Sequence, residues 1–180
     1  MKIILATSNQ GKIKELKKLM PHDEVIAFSD IIEPFEIIED GDTFAKNAVI
    51  KVKAVNAKLK DVMDEDYIVI SDDSGISIEA LNFEPNIFSA RYAGIDASDV
   101  DNLNKVIENL KAKNLKESNA FYTCAIAVMF KDEVYTVHGW MYGDVICEQR
   151  GSNGFGYDPM FIPNGFEKTL NEQNVVLSRK

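Results

Sequence analysis

The sequence is poor in cysteine, histidine and proline and has no long apolar run. Cys124 and Cys147 are the only cysteines among 180 residues. Two isolated thiols supply neither a disulfide framework nor zinc-ligand spacing, and they suit a reducing cytoplasm. His22 and His138 lie far apart, which excludes the paired-histidine motif of zinc hydrolases. No apolar stretch approaches the roughly 18 residues of a membrane span. The opening Met1-Lys2-Ile3-Ile4-Leu5 is too short for a signal peptide and runs straight into a strand-like segment. Basic residues are scarce as well: 20 Lys and Arg stand against 29 Asp and Glu, a formal charge of −9. Net repulsion argues against nucleic acid or an anionic membrane as partner, whereas a small anion responds to local charge.

What is present is the balance of a globular chain, 46% hydrophobic and 27% charged. A chain of this length buries roughly 70% of its unfolded surface, so its core needs no metal or disulfide. Periodicity predicts a strand over Lys2–Thr7, a helix over Lys12–Met20 and a short strand over Val25–Phe28. Phe44, Ala48, Val52, Val55 and Leu59 make the clearest helical stripe, over Thr43–Lys60. Tyr67–Ser71 reads as a buried strand, and residues 82–94 as a loop. Ser98 is a good N-cap for a helix from Asp99 to about Lys113. Ala120–Phe130 and Glu133–Met141 read as a hairpin joined at Lys131-Asp132. Trp140 and Tyr142 are expected to pack in the core, with an interface as the alternative. The order predicts an α/β protein with a mixed, twisted sheet flanked by helices. Its length fits one domain, residues 1–180, in which region 99–142 could form a second lobe beside a ligand cleft.

Three constellations could carry chemistry. Thr7-Ser8-Asn9-Gln10-Gly11-Lys12 lies at a strand-to-helix junction, where free N–H groups and the helix dipole hold phosphate. A lysine in a first helical turn opposes that dipole unless an anion sits beside it. The alternative is a capped helix with a solvated lysine. Ser71-Asp72-Asp73-Ser74-Gly75 ends a buried strand in two adjacent carboxylates, which are costly without a cation or hydrogen bonds. Successive strand residues face opposite ways, so one Asp is expected in a site and the other in the turn before Gly75. The alternative is a solvated Asx-turn. Gly151-Ser152-Asn153-Gly154-Phe155-Gly156-Tyr157-Asp158-Pro159 is a loop whose glycines permit close backbone approach. Phe155 or Tyr157 could stack on a base, and Asp158 could accept from its N–H edge; a tight turn with core aromatics is the alternative.

Together and in this order, these pieces resemble the inosine triphosphate pyrophosphatase family. The similarity runs from Lys2 to about Thr169 and includes Ala80-Leu81-Asn82 and Ser89-Ala90-Arg91-Tyr92-Ala93-Gly94. The resemblance implies a long mixed sheet with two lobes around a central cleft, in a homodimer. It implies Mg²⁺-dependent hydrolysis of inosine, deoxyinosine and xanthosine triphosphates to monophosphate and pyrophosphate. By resemblance, Thr7, Ser8, Asn9, Gln10, Gly11, Lys12 and Lys51 hold the triphosphate. Asp73 binds Mg²⁺ and activates water, with Glu39 as the neighbouring metal carboxylate. Ser74 contacts substrate, and Phe155, Gly156, Tyr157 and Asp158, with Arg179 from the tail, hold the base.

The chain departs from that pattern at Ile38, where a metal-binding Glu is expected, and at Lys46 in Thr43-Phe44-Ala45-Lys46-Asn47-Ala48, where the family has Glu. Its tail, Asn174-Val175-Val176-Leu177-Ser178-Arg179, lacks the histidine of the family's Ser-His-Arg signature. Two rival readings remain, a nucleotide-binding relative with little or no catalysis and a dimeric interaction protein.

Overall fold

A computed structural model describes residues 1–152 and 154–173. Six strands form one mixed sheet in the order β2-β1-β3-β4-β5-β6. They are β1 Lys2–Leu5, β2 Val25–Ala27, β3 Tyr67–Ile78, β4 Glu117–Phe130, β5 Glu133–Ile146 and β6 Phe161–Pro163. The helices are α1 Gln10–Leu19, α2 Phe44–Leu59 and α3 Asp99–Ala112. β1 pairs in parallel with β2 and β3, and β5 pairs antiparallel with β6. The chain divides into two compact units, Met1–Asp73 with Cys124–His138, and Ser74–Thr123 with the chain from Gly139 onward.

In the first unit, alternation along β1 sends side chains to two helices. Ile4 and Ala6 join Val69 in a core with Ala48, Val52, Val55 and Leu59 of α2. Leu5 packs the other way, with Ile13 of α1 and Ala27. Burying each valine, leucine or isoleucine among them contributes about 1.5–3 kcal/mol. Both helices begin at side-chain caps: Asn9 Oδ1 accepts from Lys12 N–H at 3.1 Å, and Thr43 Oγ1 from Lys46 N–H at 3.2 Å. Ser71 Oγ donates to the Ala48 carbonyl at 2.6 Å, tying β3 to α2.

The second unit has its own core, built from Ile76, Ile78, Leu103, Val106, Leu110, Tyr122, Met160 and Phe161. Ser98 caps α3 in a reciprocal box with Asp101. The rings of Tyr122 and Phe161 meet edge to face at 4.9 Å.

Three expectations need correction. β3 does not end at the paired aspartates but continues to Ile78, because Ile76 and Ile78 are both fully buried and extend the strand's apolar face. Gly75 is therefore a buried strand residue, and no turn precedes it. The hairpin strands are longer than the hydrophobic runs suggested. Lys131 and Asp132 adopt φ of 47° and 69°, the left-handed pair that a two-residue hairpin turn requires. Trp140 and Tyr142 are 49% and 59% exposed rather than core residues.

Candidate active site

The first unit gathers five charged side chains from four segments. Lys12, in the first turn of α1, places its Nζ 2.7 Å from Asp72 Oδ2. Lys51, on α2, places its Nζ 2.9 Å from Glu39 Oε2 and 3.4 Å from Asp73 Oδ1. Strand alternation explains the division: adjacent aspartates on β3 point to opposite faces, so one meets α1 and the other α2. Both carboxylates are thus engaged by lysines, and neither serves a turn. Lys51 looks polar in sequence but lies on the buried face of α2, three residues after Ala48 and four before Val55, both in the core. Spacings of three and four from Phe44 through Asn47 and Lys51 to Val55 are the signal that marks it as inward.

Burial alone would lower the Lys51 pKa, but Asp73 and Glu39 outweigh it, so the group is held above its ordinary 10.5. Asp73 is pushed upward by burial and by Glu39, against the downward pull of Lys51 and of a hydrogen bond from Asn47. Asp72 Oδ1 is buried without a hydrogen-bond partner among the described residues. Ile38 is 73% exposed, while its neighbour Glu39 reaches Lys51, so the substitution at 38 takes no carboxylate from this cluster. Lys46 also lies outside it, pairing on the surface with Asp42 at 2.7 Å.

The Thr7–Lys12 segment forms the start of α1. Thr7 Oγ1 accepts from Asn9 N–H at 3.2 Å, Asn9 caps the helix, and no acidic residue occupies its first turn. Ser8, Asn9 and Gln10 are exposed, and Gly11 is half-buried. This is a helix N-terminus of ten residues with accessible N–H groups and a paired lysine at its edge.

Divalent-cation chemistry can be tested against these donors. Among the described residues, no three His, Cys, Asp or Glu side chains converge as a ready-made cage. Mg²⁺ does not require one, since it takes one or two carboxylates and completes its shell with phosphate oxygens and water. Asp73 and Glu39 already share one cation, the Lys51 ammonium, and Asp72 keeps a buried oxygen free of hydrogen bonds. The all-oxygen donor set fits Mg²⁺.

In the second unit, the loop before β6 is shaped by its own acid. Asp158 is 6% exposed; its Oδ2 accepts from Phe155 N–H at 3.1 Å, and its Oδ1 accepts from the Tyr122 hydroxyl at 3.2 Å. A Cβ on Gly154 would lie 2.6 Å from Asp158 Oδ2, so the glycine there serves the loop's own packing. Gly156 donates its N–H to Asp99 Oδ2 at 3.0 Å, fixing the loop to the start of α3. Tyr157 is buried in the core, its hydroxyl donating to the Ser89 carbonyl at 2.8 Å, and burial raises its pKa. Phe155 is therefore the half-buried ring of this loop. Ser74 is half-buried on β3, and Arg179 lies outside the described residues.

Residues 3–176 match the model of the Ham1 family. A dITP/XTP pyrophosphatase of Aliarcobacter butzleri is 54% identical over 96% of this chain and 86% of its own length. A dITP/XTP pyrophosphatase of Sulfurovum is 57% identical over 97% and 83%. Among solved structures, the Ham1 protein of Staphylococcus aureus superposes with a TM-score of 0.78 at 37% identity, covering 96% of this chain and 86% of that one. The HAM1 protein of Coxiella burnetii gives 0.80 at 36%, covering 97% and 87%. With the sheet, the motif order and near full-length identity in agreement, the chain belongs to the Ham1 family.

Proposed function

We propose that this chain hydrolyses inosine, deoxyinosine and xanthosine triphosphates to the monophosphate and pyrophosphate, with Mg²⁺. The observation that carries the reading is the Lys12, Lys51, Glu39, Asp72 and Asp73 cluster beside the start of α1. Its two ammonium groups face three carboxylates, which leaves one net negative charge. Such a cluster repels a bare triphosphate and accepts one that arrives with a divalent cation. Asp73 and Glu39 would hold that cation, which neutralises charge on the phosphates and orients water.

The remaining roles fall to the chain's own groups. Lys12, Lys51 and the free N–H groups of α1 bind phosphate oxygens. Thr7, Ser8, Asn9, Gln10 and Gly11 frame that contact, and Ser74 adds a hydroxyl. Asp73 accepts the proton of the attacking water as the water oxygen bonds to the α-phosphorus and the bond from the α-phosphorus to the bridging oxygen breaks. Pyrophosphate leaves with that oxygen. Burial raises the pKa of Asp73, which makes its carboxylate a stronger base than a solvated aspartate. In the second unit, we assign the base to Phe155, Gly156, Tyr157 and Asp158, with Phe155 as the stacking ring and Arg179 from the tail.

The test is product analysis. Inosine triphosphate incubated with the protein and Mg²⁺ should give inosine monophosphate and pyrophosphate, and chelation should stop the reaction. Persistent turnover in excess chelator would contradict it.

We further propose a cytoplasmic homodimer of single-domain chains that does not bind nucleic acid. No helix among the described residues is long and apolar enough to cross a membrane. The cysteines are free thiols. The net charge of −9 opposes polyanions. Exposed Phe83 and Tyr142 flank Phe121, with ring centroids 6.2 Å and 5.6 Å apart, an aromatic surface suited to a second copy. Light scattering giving a monomer mass at micromolar concentration would contradict the dimer.

A further inference from the structure

Asn47 is 1% exposed and lies on α2 one turn before Lys51. Its side-chain oxygen accepts from Gly41 N–H at 2.8 Å, and its nitrogen donates to Asp73 Oδ2 at 3.1 Å. These partners fix the sense of the amide, because the backbone donor requires the oxygen and leaves the NH₂ for the carboxylate. A Cβ at position 41 would sit 2.6 Å from Asn47 Oδ1, so the backbone reaches the amide only because residue 41 is glycine. Gly41 follows Glu39 by two residues. One buried amide therefore holds Asp73 directly and the Glu39 segment through its backbone, while Lys51 bonds both acids from the next turn.

We propose that Asn47 is the positioning residue that sets the spacing of the Glu39 and Asp73 carboxylates for a divalent cation. The inference rests on the assignment of those two acids as metal-binding groups. Partners of this kind orient the ligands rather than contact the ion, and their loss typically lowers metal affinity or activity about 10–100-fold. Asn47 touches no substrate in this scheme, so its effect on nucleotide runs only through the bound cation and is masked at saturating Mg²⁺.

The experiment titrates the full-length protein with Mn²⁺, followed by electron paramagnetic resonance, and measures Mg²⁺-dependent turnover of inosine triphosphate in parallel. Asn47→Ala should weaken Mn²⁺ binding about 10–100-fold, with KM for inosine triphosphate at saturating Mg²⁺ changing less than about threefold. Asn47→Asp keeps volume and the acceptor for Gly41 but turns an oxygen toward Asp73. It should keep the parental circular dichroism spectrum with a lowered Tm, since a second buried carboxyl now faces Asp73, and lose about tenfold or more in kcat at unchanged KM. If Asn47 only braces the Gly41 backbone, Asn47→Asp retains parental kcat, and that result overturns the proposal even where Asn47→Ala fails to fold. Parental Mn²⁺ affinity in a folded Asn47→Ala also overturns it. Asp73→Asn and Glu39→Gln serve as controls: if neither weakens Mn²⁺ binding, the metal assignment itself fails, a result distinct from failure of Asn47 alone.

Discussion

Lys12 and Asp72 form an ion pair of 2.7 Å with side chains only 17% and 10% exposed. A lysine in a first helical turn faces the positive end of the dipole and needs a nearby anion. The protein supplies that anion from the middle of β3. The pair thus holds a neutralised cation at the start of α1.

Lys12→Ala should weaken binding of a triphosphate more than of a monophosphate, because the proposed function sets the lysine against the phosphate tail. It should also destabilise the fold by on the order of 3 kcal/mol, since Asp72 is left largely buried without its counter-ion. Pairing it with Asp72→Asn should recover part of that loss. Calorimetry with inosine mono- and triphosphate, and thermal unfolding of the single and double variants, check both parts. Equal losses for the two nucleotides would contradict the placement.

Asp73→Asn should reduce turnover by about 10²–10⁴-fold, the range for loss of a general base, while keeping the shape of the side chain. A circular dichroism spectrum matching the parent establishes that the fold survives. Near-parental turnover would move the role to Asp72.

In the metal-free protein, an NMR titration of Asp73 should have its midpoint above the ordinary carboxylate range, because burial raises it. Lys51 pulls that pKa down, so Lys51→Met should move the midpoint to still higher pH. Lys51 itself links stability to pH. The folded-state pKa of Lys51 lies above 10.5, so its contribution is complete below that value and is lost as pH rises through the folded pKa. Urea midpoints between pH 9 and 12 should fall more steeply in the parent than in Lys51→Met.

Gly154→Ala should disturb the second unit's loop. At φ of 82°, with a Cβ 2.6 Å from Asp158 Oδ2, alanine is strained and displaces the carboxylate that orders the loop. A loss of about 1–3 kcal/mol is expected. Base selectivity should fall with it, measured as the ratio of kcat/KM for inosine over adenosine triphosphate.

Much of this was legible in the sequence, for identifiable reasons. α2 and α3 are legible to within a residue or two because long apolar stripes and the caps Thr43 and Ser98 agree. The two-residue turn at Lys131-Asp132 was legible because strand-like runs bracket it. β3 reads short in the sequence because Ser71 to Gly75 looks like a turn in composition, although its strand is held by the buried isoleucines beyond. β6 has three residues, too few to show a period, and ends in Pro163. In the cluster, Lys12 and Asp73 stand in motifs and Lys51 enters by family resemblance, but neither the pairing of Lys12 with Asp72 nor the contacts of Asn47 can be read from the sequence. Pairings between distant segments leave no local trace. Polar residues at inward-facing positions of an amphipathic helix do, and Asn47, Lys51 and Asn56 were there to be read.

The most direct test of the central claim is a kcat/KM comparison for inosine, deoxyinosine, xanthosine, adenosine and guanosine triphosphates, with pyrophosphate and orthophosphate assayed separately. The account predicts pyrophosphate as the phosphate product and a preference of at least about tenfold for the first three, the least that pocket fit alone supplies. Orthophosphate as the main product, or adenosine triphosphate consumed as efficiently as inosine triphosphate, would contradict it.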